Sequence, residues 1–166
     1  MKSTRFSMRI ALALLAIFAA SVPAFADLSG TLGLKGVVAP NVSVAVTSLT
    51  GFDNLSMLAG VTDFPIATIK EISNSKGGYT LSISSARGYK LSQGTTGAYV
   101  TGGDSVIYTL KYDTVSVNQT TQILTDVSGK TVAAGVTKTL TITFASTDNL
   151  NADNYTDTLT FTIAGK

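Results

Sequence analysis

Apolar and polar residues alternate in short runs along most of the chain, and the runs are separated by Gly, Asn, Asp and Ser. The clearest run is Tyr155 to Ile163: Tyr155, Leu159, Phe161 and Ile163 share one parity, and Thr156, Thr158, Thr160 and Thr162 the other. A period of two with a threonine face predicts a strand with one buried and one wet side, because the branched Cβ of threonine favours extended backbone. Lys138 to Phe144 repeats the pattern, with Leu140, Ile142 and Phe144 inward. Val106, Tyr108, Leu110 and Tyr112 alternate with Ile107, Thr109 and Lys111, and Tyr79, Leu81 and Ile83 with Thr80, Ser82 and Ser84 after the turn pair Gly77-Gly78. Val42, Val44 and Val46 form another strand, and Ile66 to Ile72 a less regular one.

No window beyond the N-terminal stretch carries a helical period, although Leu55 to Ala59 suits a single turn. Seven or so half-buried strands spaced by turn residues predict an all-β fold, an antiparallel β-sandwich. A membrane β-barrel is disfavoured because the second face is mostly Thr and Ser, whereas lipid demands an apolar outer band.

The first 26 residues do not belong to that pattern. Lys2, Arg5 and Arg9 precede an apolar run from Ile10 to Ala20 and the small-x-small ending Ala24-Phe25-Ala26. These are the three regions of a secretory signal peptide, with cleavage expected after Ala26; the apolar core is short for a retained membrane anchor. The mature chain, 27-166, suits one domain. Without the leader's three cations, nine basic residues face ten acidic ones, a net charge of −1 in place of +2. The remaining cations are scattered singly, so nucleic acid is not an expected partner.

The chain has no Cys, His or Trp. Thiolate chemistry, Ser-His-Asp catalysis and His-ligated metals lack their reactive groups, and the fold must hold by packing and sheet hydrogen bonds. The cluster Asp148-Asn149-Leu150-Asn151-Ala152-Asp153-Asn154 offers oxygen ligands for calcium but lacks the EF-hand spacing, and reads as a turn. Glu71 is the single glutamate, and the aspartates fall mainly in turn contexts, which leaves no carboxylate pair for glycoside hydrolysis. Tyr89 and Tyr99, in Gly/Ser-rich connections, are candidates for stacking on a sugar or receptor. No catalytic constellation emerges, and neither a cofactor nor a metal is expected.

The stretch DLSGTLGLKGVVAPNVSVAV, Asp27 to Val46, raises a different question. Leu28, Gly30, Leu32, Leu34, Gly36 and Val38 share one parity, then Pro40 breaks the ladder and the Val42 strand begins. No hairpin turn folds the first segment onto the second. It is either an edge strand of a self-contained sandwich or an arm added to another copy by strand addition, in which alternate side chains enter pockets.

Gly30-Thr31-Leu32-Gly33-Leu34-Lys35-Gly36-Val37-Val38, followed by Ala39-Pro40 and the valine strand, resembles the N-terminus of fimbrial and capsule-like subunits assembled by the chaperone-usher pathway. Leu150 to Ile163 resembles that family's closing strand, with Asn154 where glycine is commoner. Gly78 to Ser85 and Val106 to Leu110 resemble spore-coat-U-type secreted domains. The strand-linking cysteine pair of most pilins is missing, with Ser43 near the first cysteine's place, so the resemblance is to the cysteine-free branch.

The resemblance implies an incomplete immunoglobulin-like sandwich, residues 40-166, and a donor-strand arm, residues 27-39. The arm's Leu28, Gly30, Leu32, Leu34, Gly36 and Val38 would fill the groove beside Leu159, Phe161 and Ile163 of the next copy. Expected partners are copies of itself, a periplasmic chaperone and an outer-membrane usher; the expected location is a fimbrium on the surface of a Gram-negative bacterium. The alternative is a monomeric secreted binding or coat domain of the same sandwich type, adhesin-like.

Overall fold

Threonine-rich alternation gives strands here because each run has enough apolar knobs on one face to bury, and no helical stripe competes. In the computed structural model, which describes residues 29–95 and 98–166, no helix occurs among the described residues and every strand pairing is antiparallel. The expected signal peptide and Leu28 lie outside the described residues.

The chain divides into two units, Met1–Val37 and Val38–Lys166. In the first, residues 29–37 form no strand, and Leu32 and Leu34 are 85% and 89% exposed. All the strands among the described residues lie in the second.

Its largest sheet has five strands: β1 (Val42–Ser48), β2 (Val61–Ser73), β10 (Val136–Phe144), β7 (Thr109–Tyr112) and β8 (Val115–Ser116), in that order. A second sheet orders β12 (Leu159–Gly165), β3 (Tyr79–Ser85) and β9 (Ile123–Val127). A third group is built on β4 (Lys90–Thr95), which pairs with β11 (Tyr155–Thr156), β5 (Ala98–Tyr99) and β6 (Ser105–Ile107). All three sheets feed one core. Ile69 from β2, Leu81 and Ile83 from β3, Leu110 from β7, and Leu140 and Ile142 from β10 are buried together. The predicted all-β sandwich is the architecture found.

The irregularity of Ile66 to Ile72 has a cause. β10 and β2 pair with a register shift between Leu140 and Thr141, opposite Ala67 and Pro65. A proline in an interior strand requires such a bulge, because it has no N–H for the ladder. The bulge slips the side-chain phase: Phe64 and Ile66 are half-buried on one side of it, and Ala67, Ile69, Glu71 and Ser73 are buried on the other.

The entrance to β1 is fastened by Asn74. Its backbone N–H donates to the Asn41 carbonyl at 2.9 Å, its side-chain oxygen accepts from the Asn41 N–H at 2.7 Å, and its side-chain amide donates to the Ala39 carbonyl at 2.7 Å. β1 then pairs with β2 without interruption, from Val42 opposite Ser73 to Ser48 opposite Ala67.

Candidate functional site

Among the edge strands of the sandwich, each with a backbone partner on one side only, two lie side by side. β1 pairs with β2 and ends the five-stranded sheet; β12 pairs with β3 and ends the three-stranded one. Unpaired strand edges present rows of N–H and C=O groups that natural proteins cover or fill.

Between them lies a groove of about 290 Å³. Val46 and Ser48 of β1 form one lip, and Leu159 and Phe161 of β12 the other. Its floor is core: Ile66 and Ala67 from β2, Leu140 and Ile142 from β10. The inward parity of β1 loses cover along its length, with Val44 half-buried and Val46 46% exposed. Leu159, Phe161 and Ile163 are likewise only half-buried, although their parity points at the core. An apolar face that reaches the core yet stays half-covered marks missing packing, since interiors normally fill to crystal-like density.

The groove closes at its other end. A Cβ on Gly165 would stand 3.2 Å from Cγ2 of Val42, so glycine lets the end of β12 come close to the start of β1. The edges therefore run in opposite directions, meeting near Val42 and Gly165 and parting toward Ser48 and Leu159.

At the parted end stands Asp157, which lines the groove. Its Oδ2 accepts from the hydroxyls of Ser85 and Tyr108, both at 2.5 Å. Its Oδ1 accepts the N–H groups of Thr158 at 2.7 Å and Arg87 at 3.1 Å. These bonds tie the start of β12 to the β3–β4 turn and to Tyr108, whose ring sits in the core. Burial first, and then the Asp157 bond, push the Tyr108 hydroxyl pKa well above its ordinary value. A polar cleft of about 430 Å³ adjoins this end, sharing Phe52, Leu55, Leu91 and Asp157 with the groove and adding Asp53 and Asp153.

Of the candidate groove residues, Leu159 and Phe161 line the groove, while Ile163 packs half-buried against the core nearer the closed end. Of the candidate arm residues, Gly30, Leu32, Leu34 and Gly36 are exposed in the first unit, Val38 is 86% exposed in the second, and Leu28 lies outside the described residues. Val46, Ile66, Ala67 and Asp157 were not legible as groove residues, because the pairing that brings β1 beside β12 is long-range. The half-apolar parity of Val42, Val44 and Val46 was the available hint.

The sugar-stacking reading fails for Tyr89, and one ring face of Tyr99 is covered. Tyr89 is buried, donates its hydroxyl to the Ile83 carbonyl at 3.2 Å and meets Tyr108 edge-to-face at 6.0 Å. Tyr99 already has a cation on its ring, the Arg87 guanidinium at 4.0 Å from the centroid. In the Asp/Asn cluster, Asp153 bonds the Gln93 amide and the Asn154 N–H, and Asn151 donates its N–H to Asp104. Among the described residues no group of three His, Cys, Asp or Glu side chains gathers to hold a metal.

Comparison with protein-family models, with curated proteins and with solved structures gives no match.

Proposed function

We propose that this chain is a structural subunit of a surface fimbria or capsule-like fibre that polymerises by donor-strand exchange. It is exported by its leader, carried by a periplasmic chaperone and assembled at an outer-membrane usher of a Gram-negative bacterium. The observation that carries the reading is the apolar groove between two unpartnered sheet edges, β1 and β12, in a chain whose N-terminal segment displays exposed leucines at alternate positions. Leu32 and Leu34 are two residues apart, the same spacing as Leu159 and Phe161, so a strand laid along β12 sets knob beside lip. It would supply a backbone ladder to both edges and cover the half-exposed Val46. Each large apolar side chain taken fully from water contributes about 1.5 to 3 kcal/mol, and together with two ladders that suffices for a non-covalent fibre to persist.

Fibre formation of the mature chain, followed by electron microscopy alongside the level of folded subunit, tests the reading with Leu32→Asp, Thr31→Asp and Phe161→Asp. Leu32→Asp should abolish fibres while leaving folded subunit, because an unpaired charge in an apolar groove costs several kcal/mol. Thr31→Asp, on the other parity, should still polymerise, and Phe161→Asp should damage both subunit and groove. Equal fibre formation by Leu32→Asp and Thr31→Asp would overturn the donor-strand reading. Loss of folded subunit in Leu32→Asp would place that leucine in an intramolecular core and favour the monomeric secreted domain.

A further inference from the structure

Asp157 is an anion with four neutral hydrogen-bond donors and, among the described residues, no counter-charge. The salt bridges are Lys111 with Asp63, Lys138 with Glu71 and Lys166 with Asp126, and the nearby Arg87 side chain lies over Tyr99 instead. Ser85, Tyr108 and two backbone N–H groups satisfy its oxygens without cancelling its charge. It stands on the lip of an apolar groove, where Coulomb interactions are screened less than in open water. Asp53 and Asp153 line the adjoining cleft, and no lysine or arginine lines either the cleft or the groove.

The N-terminal segment has the opposite character. Between Leu28 and Pro40 its single charged residue is Lys35, next to Leu34.

We infer that Asp157 is a specificity-determining residue of the groove, which pairs with Lys35 of an incoming second copy and rejects strands that carry an acid at that position. The inference rests on the donor-strand reading and adds a register to it. With Leu34 opposite Leu159 and Leu32 opposite Phe161, the incoming strand runs against β12, and Lys35 falls opposite Thr158, one residue from Asp157. In the reverse direction, with Leu32 opposite Leu159 and Leu34 opposite Phe161, Lys35 falls opposite Thr162. That is five residues from Asp157, about 16 Å along a strand. Only the first arrangement lets the lysine stem curl over the strand edge to the carboxylate. Charge placed at the rim of an interface acts mainly on encounter rate and on the choice of partner, and the leucines supply the affinity.

The test compares elongation rates of the full mature chain at low salt and at about 0.5 M NaCl, where the Debye length shrinks to a few ångströms. Lys35→Glu should slow elongation about tenfold at low salt and less than about twofold at high salt, with Lys35→Gln between it and the unaltered chain. Combined with Asp157→Asn, Lys35→Glu should cost less than about twofold relative to Asp157→Asn alone, as expected when one partner of a coupled pair is already gone. Elongation of Lys35→Glu at the unaltered rate in low salt overturns the inference, as does a slowing that persists in high salt or in the Asp157→Asn background. If Asp157→Asn does not fold, the salt dependence of Lys35→Glu decides. Leu32→Asp, run alongside, separates the two ideas. If it blocks fibres while Lys35→Glu elongates normally, only the ion pair fails; if it polymerises freely, the donor strand itself fails.

Discussion

Glu71 is the chain's single glutamate, and its side chain is fully buried. It survives there because donors converge on it: the Tyr79 hydroxyl at 2.6 Å, the Thr125 hydroxyl at 2.9 Å, the Tyr112 hydroxyl, and the Lys138 ammonium at 3.8 Å. A buried carboxylate without such partners would cost several kcal/mol. Burial first, and then the bond to Glu71, raise the pKa of both Tyr79 and Tyr112, as burial and Asp157 raise Tyr108. The folded chain thus holds these phenolic protons more tightly than the unfolded chain, whose tyrosines titrate near 10.0. Stability from this source is complete below that value and is lost as pH rises beyond it toward the higher folded pKa values. Urea unfolding should therefore show a midpoint that is flat from about pH 8 to about pH 9.5 and falls steeply by about pH 11. Tyr112→Phe should flatten the fall, and a midpoint unchanged through the alkaline range would contradict this account. None of it was legible in the sequence, where Glu71 sits in a run whose period slips at the Pro65 bulge. Tyr89 misled for a related reason: it follows a glycine in a turn, at φ +60°, yet its ring is core.

The elements were legible where one face is mostly apolar and the other mostly Thr or Ser, as in β3, β10 and β12. They were illegible where small or polar residues are buried. β4, with Ser92 and Gly94 inside, and β9, with Thr125 inside, lack the apolar alternation that marks a strand. Gly77-Gly78 marks a turn, and the geometry gives the glycines a stronger reason than punctuation. Gly78 has φ +93°, and a Cβ there would lie 1.9 Å from the Val127 carbonyl oxygen, so β3 can start against β9 only if that residue has no side chain. Gly88 is a control, with φ +66° and open space around the same position. Gly88→Ala should cost about 1 kcal/mol from backbone strain alone, and Gly78→Ala about 2 kcal/mol more, because the β3–β9 pair must also move apart. Equal losses in denaturant titrations of the two variants would show that the close approach does not matter.

At the scale of the whole molecule, the sandwich class followed from strand spacing, but the groove did not. It depends on which edges the chain leaves unpartnered, and that is decided by long-range pairing between β1 and β2 and between β12 and β3. The fold has no disulfide to pin the strand that leads from the N-terminal segment into the body. Asn74 stands there instead, fastening Ala39 and Asn41 by three hydrogen bonds ahead of the first rung, Val42 opposite Ser73. Tension applied through the N-terminal segment reaches this asparagine before it reaches any ladder. A clip that ruptured as a unit and re-formed within the folded body would convert a steady pull into a threshold. Pulling single molecules from the N-terminus, Asn74→Ala should lower the force of the first detachment while the thermal midpoint shifts only modestly, since a hydrogen bond contributes about 1 kcal/mol net. An unchanged first rupture would move the barrier inward to the β1–β2 ladder. A body joined to its neighbour through one strand would then give way under strain by peeling that strand, rather than by releasing a local catch that can close again when the strain passes.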